Sequence, residues 1–157
     1  MNPHVENYFL ERASLLGEVL FYHLTLEALL TELIKRSPGA QVDSKLNKMM
    51  FAKKATLCAE LGKLTPELHH ALSKLNKVRN RYAHELGYEI SFEEALSVAK
   101  TCGNAGVEFT DSVDSCSVAE ARELGYDTLG VLNAAFRNTF FEVVFQQGDD
   151  ECFDFIS

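Results

Sequence analysis

The sequence predicts an all-α protein, an up-and-down bundle of four to five helices in a single domain spanning residues 1–157. Three observations predict it. Apolar residues recur at spacings of three and four along most of the chain. The periodic stretches are bounded by Ser, Thr, Pro or Gly at the positions where helix ends need them. Most connections between them are short. With 157 residues, 46% of them apolar, the chain can bury a core without disulfides or a structural metal.

Taken in order, Pro3 suits the first turn of an opening helix, where a missing N–H costs nothing. From Val5 through Arg36 the chain is almost free of helix breakers. Leu16, Val19, Leu20, His23, Leu26, Leu30, Leu33 and Ile34 keep helical spacing, with a break expected near Ser14 or Gly17. Ser37-Pro38-Gly39 ends this element. After a loop, Ser44 is placed to cap a helix through LNKMMFAKKATLCAELG. Its inner side takes Leu46, Met49, Met50, Ala52, Ala55, Leu57, Cys58 and Leu61, with methionine as core filler. Thr65-Pro66-Glu67 starts the next helix with a cap followed by proline. Leu68, Ala71, Leu72, Leu75, Val78, Tyr82 and Leu86 form one apolar stripe along it.

Tyr88-Glu89-Ile90 reads as a short extended link. Ser91 and Glu94 then form a capping box that opens a helix at Phe92, running to Lys100 or Cys102. Residues 103–116 are an irregular insert in which Val107-Glu108-Phe109 offers a short hairpin. A final helix is expected from Ser117 to Phe145, its β-branched and aromatic last turns having extended backbone as the alternative. An acidic tail begins near residue 147. Phe153, Phe155 and Ile156 within it are suited to pack back on the domain or onto a second copy, with a disordered tail as the alternative expectation.

The formal charge of −8 disfavours nucleic acid as a partner, but the charge is unevenly spread. Residues 45–81 hold nine Lys or Arg against two acids, whereas residues 82–157 hold three basic and fifteen acidic residues. Such asymmetry can focus an anion on one surface. The plainer reading of the first block is a Lys-rich solvated face. Cys58, Cys102, Cys116 and Cys152 are widely spaced with no CxxC pair, as expected of reduced thiols in a cytoplasmic protein. No basic N-terminal region precedes an apolar core and cleavage site, and charges interrupt the apolar runs. The expectation is a soluble cytoplasmic chain with no membrane partner.

The stretch KLNKVRNRYAHELG concentrates the chemistry. On a helix Lys77, Asn80, Arg81 and His84 fall at spacings of three and four and share one side, away from the Leu75, Val78 and Tyr82 stripe. Arg79 lies five residues before His84, about 140° round the helix and roughly 7–8 Å along it. A second copy would pair the two more readily than one helix does. The competing reading is a polar helix end, with Glu85 or Glu89 clamping Arg79 or Arg81.

Arg79, four intervening residues and His84, with Asn80 directly after the arginine, resemble the RxxxxH motif of the HEPN-domain superfamily. The longer string LNKVRNRYAHELGYEISFEEAL is similar to the mannitol-operon-repressor-like branch, over roughly residues 10–100. The resemblance implies an all-α bundle that dimerises with its motifs facing each other. For many members of the superfamily it implies metal-independent endoribonuclease activity, often in toxins that act beside an antitoxin or in defence. For others, and for this branch, it implies RNA or protein binding and transcriptional regulation. Arg79, His84 and Asn80 match the motif. Glu18 or Glu27 stands where some members place an acidic residue.

In the catalytic case His84 would move a proton at a ribose 2′-OH or at the leaving 5′ oxygen. Arg79 would donate to the phosphate, and Lys74, Lys77 and Arg81 would hold the RNA backbone. The products would be a 2′,3′-cyclic phosphate and a 5′-OH, with no metal or cofactor. Against this, the fifteen acids after the motif favour a regulatory or interaction protein. His69-His70 reads as two surface histidines, since neighbours lie about 100° apart on a helix. His23 reads as a core or interface residue.

Overall fold

A computed structural model describes residues 3–39 and 44–148. It is an all-α helical bundle of six α-helices, with two single 3₁₀ turns and no strand among the described residues. The helices are α1 (Pro3–Lys35), α2 (Phe51–Glu60), α3 (Pro66–His84), α4 (Phe92–Asn104), α5 (Val118–Glu123) and α6 (Thr128–Gln146). Helix α1 packs on α2, α3 and α6, while α4 packs on α3, α6 and the 3₁₀ turn Val113–Ser115. The core lies between them. Leu26, Leu29, Leu30, Leu68, Leu72, Leu75, Leu96, Leu132 and Phe136 are its largest fully buried side chains.

Helix α1 is a single unbroken helix of 33 residues, about 50 Å long at 1.5 Å per residue. The expected break at Ser14 or Gly17 is absent. Gly17 costs helix propensity, but the core contacts of Val19 through Ile34 and the hold on Arg12 by Tyr88 and Glu89 anchor α1 on both sides of it. Among the described residues α1 is also long and apolar enough to cross a membrane by length and composition, with a mean hydropathy of 1.3 over 18 residues. That corrects the expectation that charges interrupt every such run.

The second periodic stretch starts later than expected. Leu46–Lys48 is a 3₁₀ turn, Met49 and Met50 are extended, and α2 begins at Phe51. Ser44 therefore does not cap it. Met50 and Ala52 face outward, whereas Phe51 and Lys54 are buried. Helix α3 follows the expectation closely. The Thr65 hydroxyl accepts from the Leu68 N–H at 3.2 Å, and Leu68 through Tyr82 are buried as one stripe. Leu86 falls beyond the helix end and is fully exposed.

Ser91 caps α4, its hydroxyl accepting from the Glu94 N–H at 3.0 Å. Helix α4 extends to Asn104, so the insert begins as helix and continues as turns rather than a hairpin. Gly103 lies against the Asp114 carboxyl, where a Cβ would have no room.

The last expected helix is two. Ser117 and Glu120 form a reciprocal capping box on α5, Gly125 turns the chain at φ +82°, and the Asp127 side chain caps α6 by accepting from Gly130 N–H. The last turns are helical through Gln146, as expected, and the extended alternative is not adopted. The tail carrying Phe153, Phe155 and Ile156 lies outside the described residues.

Candidate functional site

Helix α3 presents two polar surfaces, one on each side of its buried stripe. The first faces α1 and α2. His23 Nε2 donates to Asn76 Oδ1 at 2.9 Å, and the buried His23 ring tilts against Phe51 with centroids 4.3 Å apart. One turn along α1 the Glu27 carboxylate accepts from Lys54 Nζ at 2.8 Å; Lys54 is only 3% exposed. Arg79, one turn after Asn76, is half-buried and donates from Nη1 to Asn80 Oδ1 at 2.9 Å. Its Nε and the Nδ1 of His23 are buried without a hydrogen-bond partner.

Electrostatics ties these groups together. Burial pushes the His23 pKa below its usual value and the Arg79 charge adds to that, while the Asn76 hydrogen bond and Glu27 act the other way. His23 is therefore held as the neutral ring, a state suited to bridging and not to carrying charge. The cluster is a buried polar seam joining α1, α2 and α3, with Arg79 as its outermost cation.

The second surface is the groove between α3 and α4. Lys74, Lys77 and Arg81 line it with His70, Ser73 and Glu94, around a cavity of about 270 Å³. Lys74 Nζ donates to Ser97 Oγ at 2.8 Å, to the Ser97 carbonyl at 3.2 Å and to Thr101 Oγ1 at 2.9 Å. Arg81 is paired with Glu85 at 3.4 Å and Glu94 at 3.2 Å, and its guanidinium lies 3.8 Å from the Tyr88 ring centroid. Lys77 is exposed.

The candidates thus divide. Lys74, Lys77 and Arg81 are brought together, and Arg79 and Asn80 are brought together on the other side of the helix. His84, the last residue of α3, is exposed. Asn80 does not join Lys77, Arg81 and His84 on one exposed side as the spacing suggested, because it is half-buried and turned to Arg79. The expected clamp exists at Arg81 and not at Arg79; Glu89 pairs instead with Arg12 at 3.3 Å. Glu27 belongs to the cluster beside Arg79, whereas Glu18 is bonded to Asn133 on α6.

Asn76, Lys54 and Phe51 escaped the sequence reading. The one available signal was the double row of polar residues at helical spacing, His23 with Glu27 and Asn76 with Arg79 and Asn80. No group of three or more His, Cys, Asp or Glu among the described residues is placed to hold a metal. His69 and His70 lie near the surface, with Thr56 Oγ1 3.3 Å from His69 Nε2. Burial pushes the Cys58 thiol up to about 12 and the Cys102 thiol up to about 11, so neither is a ready nucleophile.

Fold and site together define a helical bundle with a buried polar junction beneath α1 and a cationic groove between α3 and α4. No family model, curated protein or solved structure matches the chain.

Proposed function

We propose that the chain is a HEPN-like regulatory or interaction protein of the cytoplasm, acting in transcriptional or stress and defence control through a protein partner. One observation carries this reading: of the three cations suited to hold an RNA backbone, Lys74 and Arg81 are engaged inside the molecule, while Lys77 is exposed. Arg81 is held by Glu85, Glu94 and Tyr88, Lys74 by Ser97 and Thr101, and Arg79 by Asn80. A cation already paired gives up that pairing before it can neutralise a phosphate, which weakens polyanion binding. The division of Arg79 and His84 between a half-buried and an exposed position points the same way.

A second reading keeps the RxxxxH resemblance as chemistry. It is a metal-independent endoribonuclease, toxin-like, working as a homodimer. It draws on the exposure of His84 and on the unpartnered Nε of Arg79, a donor without an acceptor. In it, His84 of one copy would act with Arg79 of the other on the scissile phosphate.

Incubation of the purified protein with RNA in EDTA, alongside His84→Ala, separates the two. The regulatory reading expects no 2′,3′-cyclic phosphate ends from either protein. Cyclic-phosphate ends that form with the parent chain and vanish with His84→Ala, the variant remaining folded by circular dichroism, would replace it with the enzyme.

A further inference from the structure

Helix α1 is apolar on the side that faces away from its own bundle. Leu10, Ser14, Gly17, Phe21, Leu24 and Ala28 follow one another at alternating spacings of four and three, the repeat of a helix-pairing seam. At 100° per residue they lie opposite Val19, His23, Leu26 and Leu30, which face the core. Leu10, Phe21 and Leu24 are 63%, 65% and 58% exposed, and the space around Gly17, where a Cβ would stand, is open. A helix apolar on both faces has a second surface to cover.

The order of sizes along the seam identifies what covers it. Placed antiparallel on a second copy about a two-fold axis, Phe21 meets Gly17, Leu24 meets Ser14 and Leu10 meets Ala28. Each large side chain then faces a small one, and the same three pairs recur on the other side of the axis. Parallel pairing would stack Phe21 on Phe21 and leave a void at Gly17. We infer that the outer face of α1 is an isologous interface, by which two copies of this chain pair antiparallel through Phe21 seated over Gly17 of the partner.

Charge supports the same occupant. No seam position is charged, and α1 has no Lys or Arg between Arg12 and Lys35 to reach a lipid headgroup. Glu18, Glu27 and Glu32 are engaged within the chain by Asn133, by Lys54 and by Lys35. An apolar, uncharged surface is left, which suits a like surface. From residue 10 to 28 the seam runs about 27 Å. One helix width over that length stays below the roughly 800 Å² per partner of a tight complex, so the dimer is a reversible one.

The consequence for the motif is specific. The seam points away from Asn76 and Arg79, which pack on the inner side of α1. A dimer made here does not set two RxxxxH motifs face to face, as the resemblance would have it. The inference rests on the helix face and is independent of the regulatory reading.

Light scattering and sedimentation over a concentration series test it. The full chain is expected to pass from the mass of one copy to that of two. Gly17→Leu is expected to raise the dimer dissociation constant about tenfold or more with the helical spectrum unchanged, because the added side chain meets open space in the monomer but fills the hollow for Phe21.

Ser14→Cys and Leu24→Cys, each in a Cys116→Ser, Cys152→Ser background, fix the direction. Mixed under mild oxidation they are expected to link to each other and not to themselves. Four results would overturn the inference: a monomer at every concentration, association unaffected by Gly17→Leu, either cysteine variant linking to itself, or capture of monomers by neutral phosphatidylcholine vesicles.

Discussion

Asn76 and His23 show how much one residue pair fixes. With Nε2–H donated to Asn76, protonation of the ring would put a second buried N–H at Nδ1 with no acceptor. Burial, and then Arg79, lower the His23 pKa in the fold, so below about pH 6.5 the unfolded chain binds a proton that the folded chain resists. The contribution is complete above that value and is lost as pH falls toward the lowered one. Thermal midpoints are therefore expected to drop between about pH 7.5 and 5.5. His23→Gln, which keeps a donor for Asn76, should flatten the slope. Asp and Glu residues would be its source if the variant kept the full slope. None of this was legible in the motif. The RxxxxH spacing could be read directly, but the electrostatic link of Arg79 to His23, more than fifty positions earlier in the chain, could not.

Among the elements, the ends of α3 and α4 were readable because the caps are local chemistry. Thr65 and Ser91 each accept from an N–H three residues on. Thr65→Ala is expected to cost about 1 kcal/mol in urea unfolding. Gly103→Ala should cost more, about 1–3 kcal/mol, because the new methyl displaces Asp114 and the turn it sits on; a cost below that of Thr65→Ala would show that the turn yields freely. The start of α2 and the division of the last helix were not readable. Apolar spacing continues through Leu124 and Leu129, and periodicity cannot report that Gly125 turns the backbone left-handed between them. The unbroken α1 is the opposite case. A glycine weak in propensity sits inside a helix held by contacts on both sides of it.

At the scale of the molecule, the all-α bundle followed from periodicity, and the uneven charge followed from counting. What counting could not supply was the meeting of the two charge blocks. Helix α3 packs on α4, so Arg81, at the end of the basic segment, finds its counter-charges in the acidic one, in Glu85 and Glu94. Exposed pairs of this kind add little stability, but they set what the surface offers to other molecules. Glu85→Gln with Glu94→Gln should leave the unfolding midpoint nearly unchanged while increasing retention on single-stranded RNA at low salt. Unchanged retention would mean that Arg81 is not what limits polyanion binding.

The two buried thiols carry one more consequence. Cys58 on α2 is in hydrogen-bonding range of the Leu30 carbonyl of α1 at 3.5 Å, and Cys102 on α4 interacts with Thr139 of α6. Each thiol is sealed into a different half of the bundle and becomes reactive only when its half opens. Alkylation followed by mass spectrometry thus times two separate doors. Equal rates at Cys58 and Cys102 are expected if the bundle opens as one unit. Faster labelling of Cys58 would mean that the α1–α2 side swings away while α4 and α6 stay closed.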